Sequence, residues 1–159
     1  MTYEKADYSV YDIAKWFIWR NKTEEENGSE KMTILKLLKL LYYAEGCSLA
    51  LNNKSLFDDN IVAWEHGPVV PKVYKTYSNP NDLDITDEEA AELNKISPAD
   101  QELLEEVFEI FGQYSAWGLR NKTHKETPWI EATDNGHHLN RTISRDTIKK
   151  FFTENYLNS

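Results

Sequence analysis

Cysteine is almost missing from this chain: Cys47 stands alone. No internal disulfide and no cysteine-pair zinc site can therefore form, which suits a reducing compartment. Glycine is sparse as well. Gly28, Gly46, Gly67, Gly112, Gly118 and Gly136 are too scattered to build a phosphate-cradling loop or a nucleophile elbow. The histidines, His66, His124, His137 and His138, lack the i, i+4 spacing that turns two imidazoles on a helix toward one metal. No metal and no cofactor is expected. A long hydrophobic run is also lacking: the most apolar stretch, from Ile34 to Leu51, is interrupted by Lys36, Lys39 and Glu45, each costly at a bilayer centre. That stretch reads as a core helix, not a membrane span. Near the N-terminus, Glu4, Asp7 and Asp12 occupy the places where an export signal would carry basic residues and then an apolar run, so a cytoplasmic protein is expected.

What is present is enough for one packed domain. A chain of 159 residues buries roughly two-thirds of its unfolded surface, and 40% hydrophobic with 13% aromatic residues supplies the core. Net charge is −9, and it is localised. Residues 82–109 hold eleven acids against Lys95, so that segment alone carries the acidity and the rest is close to neutral. An acidic face repels nucleic acid and attracts basic partners; read more plainly, it is a solvated helix face.

Apolar periodicity predicts mostly helices. Ser9 and Asp12 resemble a capping box ahead of Val10, Ile13, Ala14, Phe17 and Ile18, giving a first helix over about 10–21 and a loop over 22–31. Thr33 caps a second, central helix with an apolar surface too wide for burial on one side only. Asn52-Asn53 stops it. Residues 55–57 and 61–64 then read as two extended pieces around the turn 58–60, a minimal hairpin. Pro71 opens a third helix with Val69, Val73 and Tyr77 on one face, and Ser97-Pro98-Ala99-Asp100 opens a longer one burying Leu103, Leu104, Val107, Phe108, Phe111 and Tyr114. Ser115, Pro128 and Ser144 start three short helices. The expected fold class is mostly α: a single-domain helical bundle over 1–159 with a small β-hairpin inserted after the central helix.

Chemistry has few candidates. Cys47 with His66 or His124 would make a nucleophile and base, but Cys47 lies on the apolar stripe of the central helix, where cysteines pack. A hydrolase or transferase using His66 and His124, flanked by Glu65 and Glu126, is the enzymatic alternative. Direct action on DNA has little behind it, because Lys36 and Lys39 do not amount to a basic recognition helix. More conspicuous are two polar-aromatic knots at breaks in the chain, 64–69 and 123–129. Both read either as core anchors whose His and Thr satisfy helix ends, or as rigid aromatic hot spots for a partner.

These knots belong to a wider pattern: Lys36-Leu37-Leu38-Lys39-Leu40-Leu41-Tyr42-Tyr43-Ala44-Glu45-Gly46, then Leu56-Phe57-Asp58, then Ala63-Trp64-Glu65-His66-Gly67-Pro68-Val69-Val70-Pro71-Lys72-Val73-Tyr74, then Thr123-His124-Lys125-Glu126-Thr127-Pro128-Trp129. In order and spacing these blocks resemble the SocA-like antitoxin family, also called the Panacea domain or phage-associated GepA-like proteins, over nearly the whole chain. Lys39, where the family often has leucine, and Lys122, ahead of Thr123-His124, are modest departures. The resemblance implies a mostly helical bacterial or prophage protein that neutralises a toxin encoded beside it by direct contact, without chemistry of its own. Some members of the family act as adaptors to a ClpXP-type protease and others occlude the toxin. Partner-binding residues are then expected at Lys36, Tyr43, Trp64, His66, His124 and Trp129, with the acidic segment steering encounter and nucleic acid and membrane as unlikely partners.

Overall fold

Ser9 caps the first helix, α1 (Val10–Glu26), through a complete capping box with Asp12. A computed structural model describes residues 3–157. The helix runs five residues past its expected end at 21. No apolar period marks that extra turn; Lys22 and Glu24 to Glu26 are good helix formers, and the pairs Arg20–Glu24 and Asn21–Glu25 tie i to i+4 across it.

Thr33 accepts from the Lys36 N–H and starts α2 (Ile34–Asn52), which Asn53 ends in the left-handed conformation. From Leu37 to Gly46 every residue of α2 is buried, Lys39 and Glu45 among them. The helix is wrapped by α1, by α5 (Pro98–Phe111), α6 (Ala116–Thr123) and α8 (Arg145–Phe152), and by a small sheet. Width of the apolar surface thus translated into burial on all sides.

The hairpin does follow the central helix, but its strands are β1 (Val62–Trp64) and β2 (Gly67–Val69), joined at Glu65-His66, with Trp64 opposite Gly67. Residues 55–57 are not its first strand, and the reason is visible in their hydrogen bonds. Glu45 accepts the Leu56 N–H at 2.7 Å, the Ser55 hydroxyl has its one proton between Glu45 at 2.5 Å and the Phe57 carbonyl at 2.6 Å, and that carbonyl also accepts from Arg145. A third strand, β3 (Arg141–Thr142), pairs with β1, giving the order β2-β1-β3 and leaving Pro68 on an edge, where its missing N–H costs no ladder bond.

Pro71 occupies the first turn of α3 (Pro71–Thr76), and Val69, Val73 and Tyr77 are buried together. The acidic segment contributes α4 (Asp87–Glu92) and α5, whose Ser97 cap and Pro98 stand as expected. Several of its acids are not simply solvated: they clamp α1 through Lys15–Glu89 at 2.9 Å, Arg20–Glu105 at 2.8 Å and Lys22–Asp84 at 2.6 Å. Tyr114, expected in the core, is 40% exposed, because α5 ends at Phe111 and the helical period ends with it. Ser115 caps α6, α7 is Thr127–Thr133, and Ser144 caps α8. Among the described residues no helix is long and apolar enough to cross a membrane.

Two contacts hold α8 on α2. The fully buried Glu45 carboxylate receives Arg145 Nε at 2.6 Å, and Arg145 also donates to the Phe57 and Asp59 carbonyls at 2.8 Å. Burial pushes Glu45 upward, while Arg145, Ser55 and the Leu56 N–H pull it back toward the charged form. Next to Glu45, Gly46 lets the Phe152 ring lie against the backbone; a Cβ there would collide with that ring. Arg145→Met is expected to cost about 3–5 kcal/mol in urea unfolding, since it strands a buried carboxylate. Gly46→Ala is expected to lose about 1–3 kcal/mol by overpacking, despite alanine's better helix propensity. Wild-type stability for either variant would contradict this account of the α2–α8 seam.

Candidate functional site

The blocks that are far apart in sequence meet against the middle of α2. Glu126, ahead of α7, is buried and accepts three phenols: Tyr42 at 3.2 Å, Tyr43 at 3.1 Å and Tyr156 at 2.7 Å. Burial raises the Glu126 carboxyl, and the three tyrosines together with Lys122 oppose that rise. It raises the phenols as well, the Glu126 charge adding to the effect. Tyr43 also stacks flat on Phe111, with centroids 4.0 Å apart. Completely buried, it offers no surface to a partner and belongs to the core, contrary to its expected contact role.

His124 and Trp129 latch the hairpin. Trp129 Nε1 donates to the Trp64 carbonyl at 2.9 Å, and its ring, 7% exposed, packs against the His124 imidazole at 4.0 Å. Trp129 is therefore an anchor more than a contact. His124 faces two carbonyls, Arg120 O from Nδ1 at 2.7 Å and Glu65 O from Nε2 at 2.6 Å. A neutral ring donates to one of them and the imidazolium donates to both. In either form each ring nitrogen faces a backbone carbonyl oxygen and not an open pocket. Trp64 is half-buried, donating to Asn140 at 3.1 Å, whereas His66 at the tip of the hairpin is exposed and accepts on Nδ1 from Arg120 Nε at 3.2 Å.

Lys36 lies away from this latch. Half-buried, its ammonium donates to the Gly112 carbonyl at 2.5 Å at the wall of a cleft of about 670 Å³ between the end of α1 and the α5–α6 turn; burial lowers its pKa. Burial pushes the thiol of Cys47 up to about 12, away from the thiolate that nucleophilic chemistry uses. Among the described residues no three His, Cys, Asp or Glu side chains gather as they would around a metal.

Four residues outside the expected contact set, Lys39, Gly67, Trp117 and Arg120, are central here. Lys39 is completely buried under the hairpin, with one long hydrogen bond to the Pro68 carbonyl at 3.4 Å and no carboxylate partner among the described residues. Gly67, at φ +114°, makes room for it: an added Cβ would stand 2.5 Å from Lys39 Cε and 2.7 Å from Thr123 Oγ1. Burial pushes the Lys39 ammonium down to about 7, and the positive charge of Arg120 adds to the shift. Arg120 itself lies over the Trp117 ring at 4.5 Å, and Trp117 is 54% exposed. A signal for Arg120 does exist in the sequence: residues 110–125 contain three cations and no acid, in a chain of net charge −9.

The Lys39 environment sets a pH dependence. Between about pH 7 and the usual lysine value of 10.5, the unfolded chain holds a proton that the folded protein has released. Stability from this group therefore rises with pH through that window, by up to about 1.4 kcal/mol per pH unit, and is lowest below it. Lys39→Met should be more stable than wild type at pH 6.5 and should flatten the wild-type rise between pH 7 and 8.5 in urea titrations. Parallel curves for the two proteins would show that Lys39 titrates normally.

Comparison with known proteins returns one family. The family model described as "Antitoxin SocA-like, Panacea domain" matches residues 37–130, more than half of the chain. No curated protein and no solved structure shows significant similarity to it. The match runs from the first buried turn of α2 through the hairpin to α7, and so takes in the tyrosine–Glu126 and His124–hairpin latches, Tyr156 excepted, while α1 and α8 lie outside it. On that match, and on the blocks that carry it, the chain belongs to the antitoxin SocA-like, Panacea-domain family.

Proposed function

We propose that this protein is the antitoxin of a toxin–antitoxin pair of bacterial or prophage origin, acting in the cytoplasm by binding the toxin directly and catalysing nothing. The family supports a toxin partner in general. The observation that carries the rest is how the titratable side chains of the matched blocks are used. Glu126 is enclosed by three tyrosines, both ring nitrogens of His124 face backbone carbonyls, and Cys47 is half-buried with its thiol pushed up by burial. Groups spent on closing the fold leave no open nucleophile and base at one point, which is what an acyl- or phosphoryl-transfer site requires. A binding module needs instead a rigid scaffold with exposed anchors, and the latched hairpin is rigid in that sense.

The test is growth rescue. The open reading frame beside this gene, induced alone, is expected to arrest growth, and co-expression of this chain to restore it. Rescue and complex formation should fall together in binding-defective variants; a His66→Ala variant that keeps the complex but loses rescue would favour chemistry instead. Toxin abundance separates two modes of neutralisation. Occlusion leaves the toxin level unchanged on co-expression, whereas adaptor action lowers it in a strain with ClpXP and not in one without.

A further inference from the structure

Arg20 and Arg145 each hold a carboxylate at 2.8 Å or closer, whereas the half-buried Arg120 holds none among the described residues. Its donors serve only His66 Nδ1 at 3.2 Å and Asn121 Oδ1 at 3.1 Å, two of the guanidinium's five N–H groups. Glu65, next to His66 in the turn, forms an ion pair with neither Arg120 nor Lys39. Because His66 Nδ1 accepts, the proton of the neutral ring stands on Nε2, which has no protein acceptor among the described residues.

The array is ordered before anything binds. Arg120 stacks on Trp117 at 4.5 Å, and the His66 and Trp117 rings lie 5.6 Å apart. Trp117 is nonetheless 54% exposed, and Ile110 at the end of α5 is equally exposed. Tryptophan and arginine, pre-positioned and half-open, are the residue types that concentrate energy in protein interfaces. Beneath them the buried Lys39 has no carboxylate partner among the described residues, so the hairpin side brings no buried negative charge to this surface.

We infer that the Trp117–Arg120–His66 surface is where the partner protein docks, and that it receives an acidic side chain of that partner, its carboxylate on the guanidinium and the His66 Nε2–H, with an apolar neighbour over the Trp117 ring. The inference rests on the antitoxin reading and gives it a place and a chemistry. A planar guanidinium with adjacent free donors suits bidentate capture of a carboxylate. Nucleic-acid phosphate fits less well: the acidic segment over 82–109 repels a polyanion, and the local excess is only the three cations of residues 110–125.

The experiment uses the full chain and the purified product of the adjacent reading frame, with affinity measured by calorimetry and folding checked by melting. Arg120→Glu and Trp117→Ala, both at exposed or half-exposed positions, are expected to melt like wild type and to weaken binding about 30-fold or more. Arg120→Lys is expected to fall between them and wild type, since it keeps charge and loses the fork. Neutralising Glu88, Glu89 and Glu92 on the acidic face should change affinity less than threefold. If folded Arg120→Glu binds within threefold of wild type, the surface is wrong while the antitoxin reading stands. If wild type neither binds nor rescues growth, the antitoxin reading fails and the docking inference with it. Binding of a 20-base-pair duplex by wild type that Arg120→Glu abolishes would assign the surface to nucleic acid and overturn the inference.

Discussion

Helix α2 is enclosed from Leu37 to Gly46, and a helix without a solvent side must find internal partners for every polar group it carries. It carries four large ones. Tyr42 and Tyr43 are satisfied by Glu126, Glu45 by Arg145 and the 55–56 segment, and Lys39 by the Pro68 carbonyl alone. Each partner lies far away in sequence, so each bond dictates where another element packs. The hairpin, the start of α7 and α8 are arranged around these demands.

That constraint explains why the family blocks contain the residue types they do. Blocks that look like separate recognition motifs are the two halves of internal latches: Tyr42-Tyr43 with Glu126, Trp64 and Glu65 with Trp129 and His124. Their polar and aromatic character serves burial. Lys39 is the exception in energetic terms, a buried cation without a counter-charge, held down to about 7 by its surroundings. An aliphatic side chain there would pack without that cost, so the lysine costs stability, most of all below about pH 7, where it carries its charge.

Function then falls to what the latches leave outside. The hairpin turn and α6 converge, and their exposed members, His66, Trp117 and Arg120, are oriented by contacts with one another. A surface of this kind exists because the interior is rigid: mobile supports would spend binding energy on ordering. The acidic segment plays a different part, since several of its carboxylates clamp α1 and only the remainder projects a field.

By itself the sequence determined the local features. Ser9, Thr33, Ser97, Ser115 and Ser144 cap helices because hydroxyls satisfy N–H groups within three residues, and Pro71 and Pro98 open helices for a reason equally local. The width of the α2 apolar surface likewise determined that it would be central. Which strands pair was decided only in three dimensions: residues 55–57 look as extended as 62–64, but Glu45 and Arg145, ten and nearly a hundred residues away, claim their hydrogen bonds. The division between anchor and surface was decided there too. Tyr43 and Trp129 share the polar-aromatic character of His66 and Trp64, and nothing local tells a phenol aimed at a buried carboxylate from one aimed at solvent. Trp117 and Arg120 gain their meaning from His66, more than fifty residues earlier, because charge compensation depends on which groups the fold brings within a few ångströms.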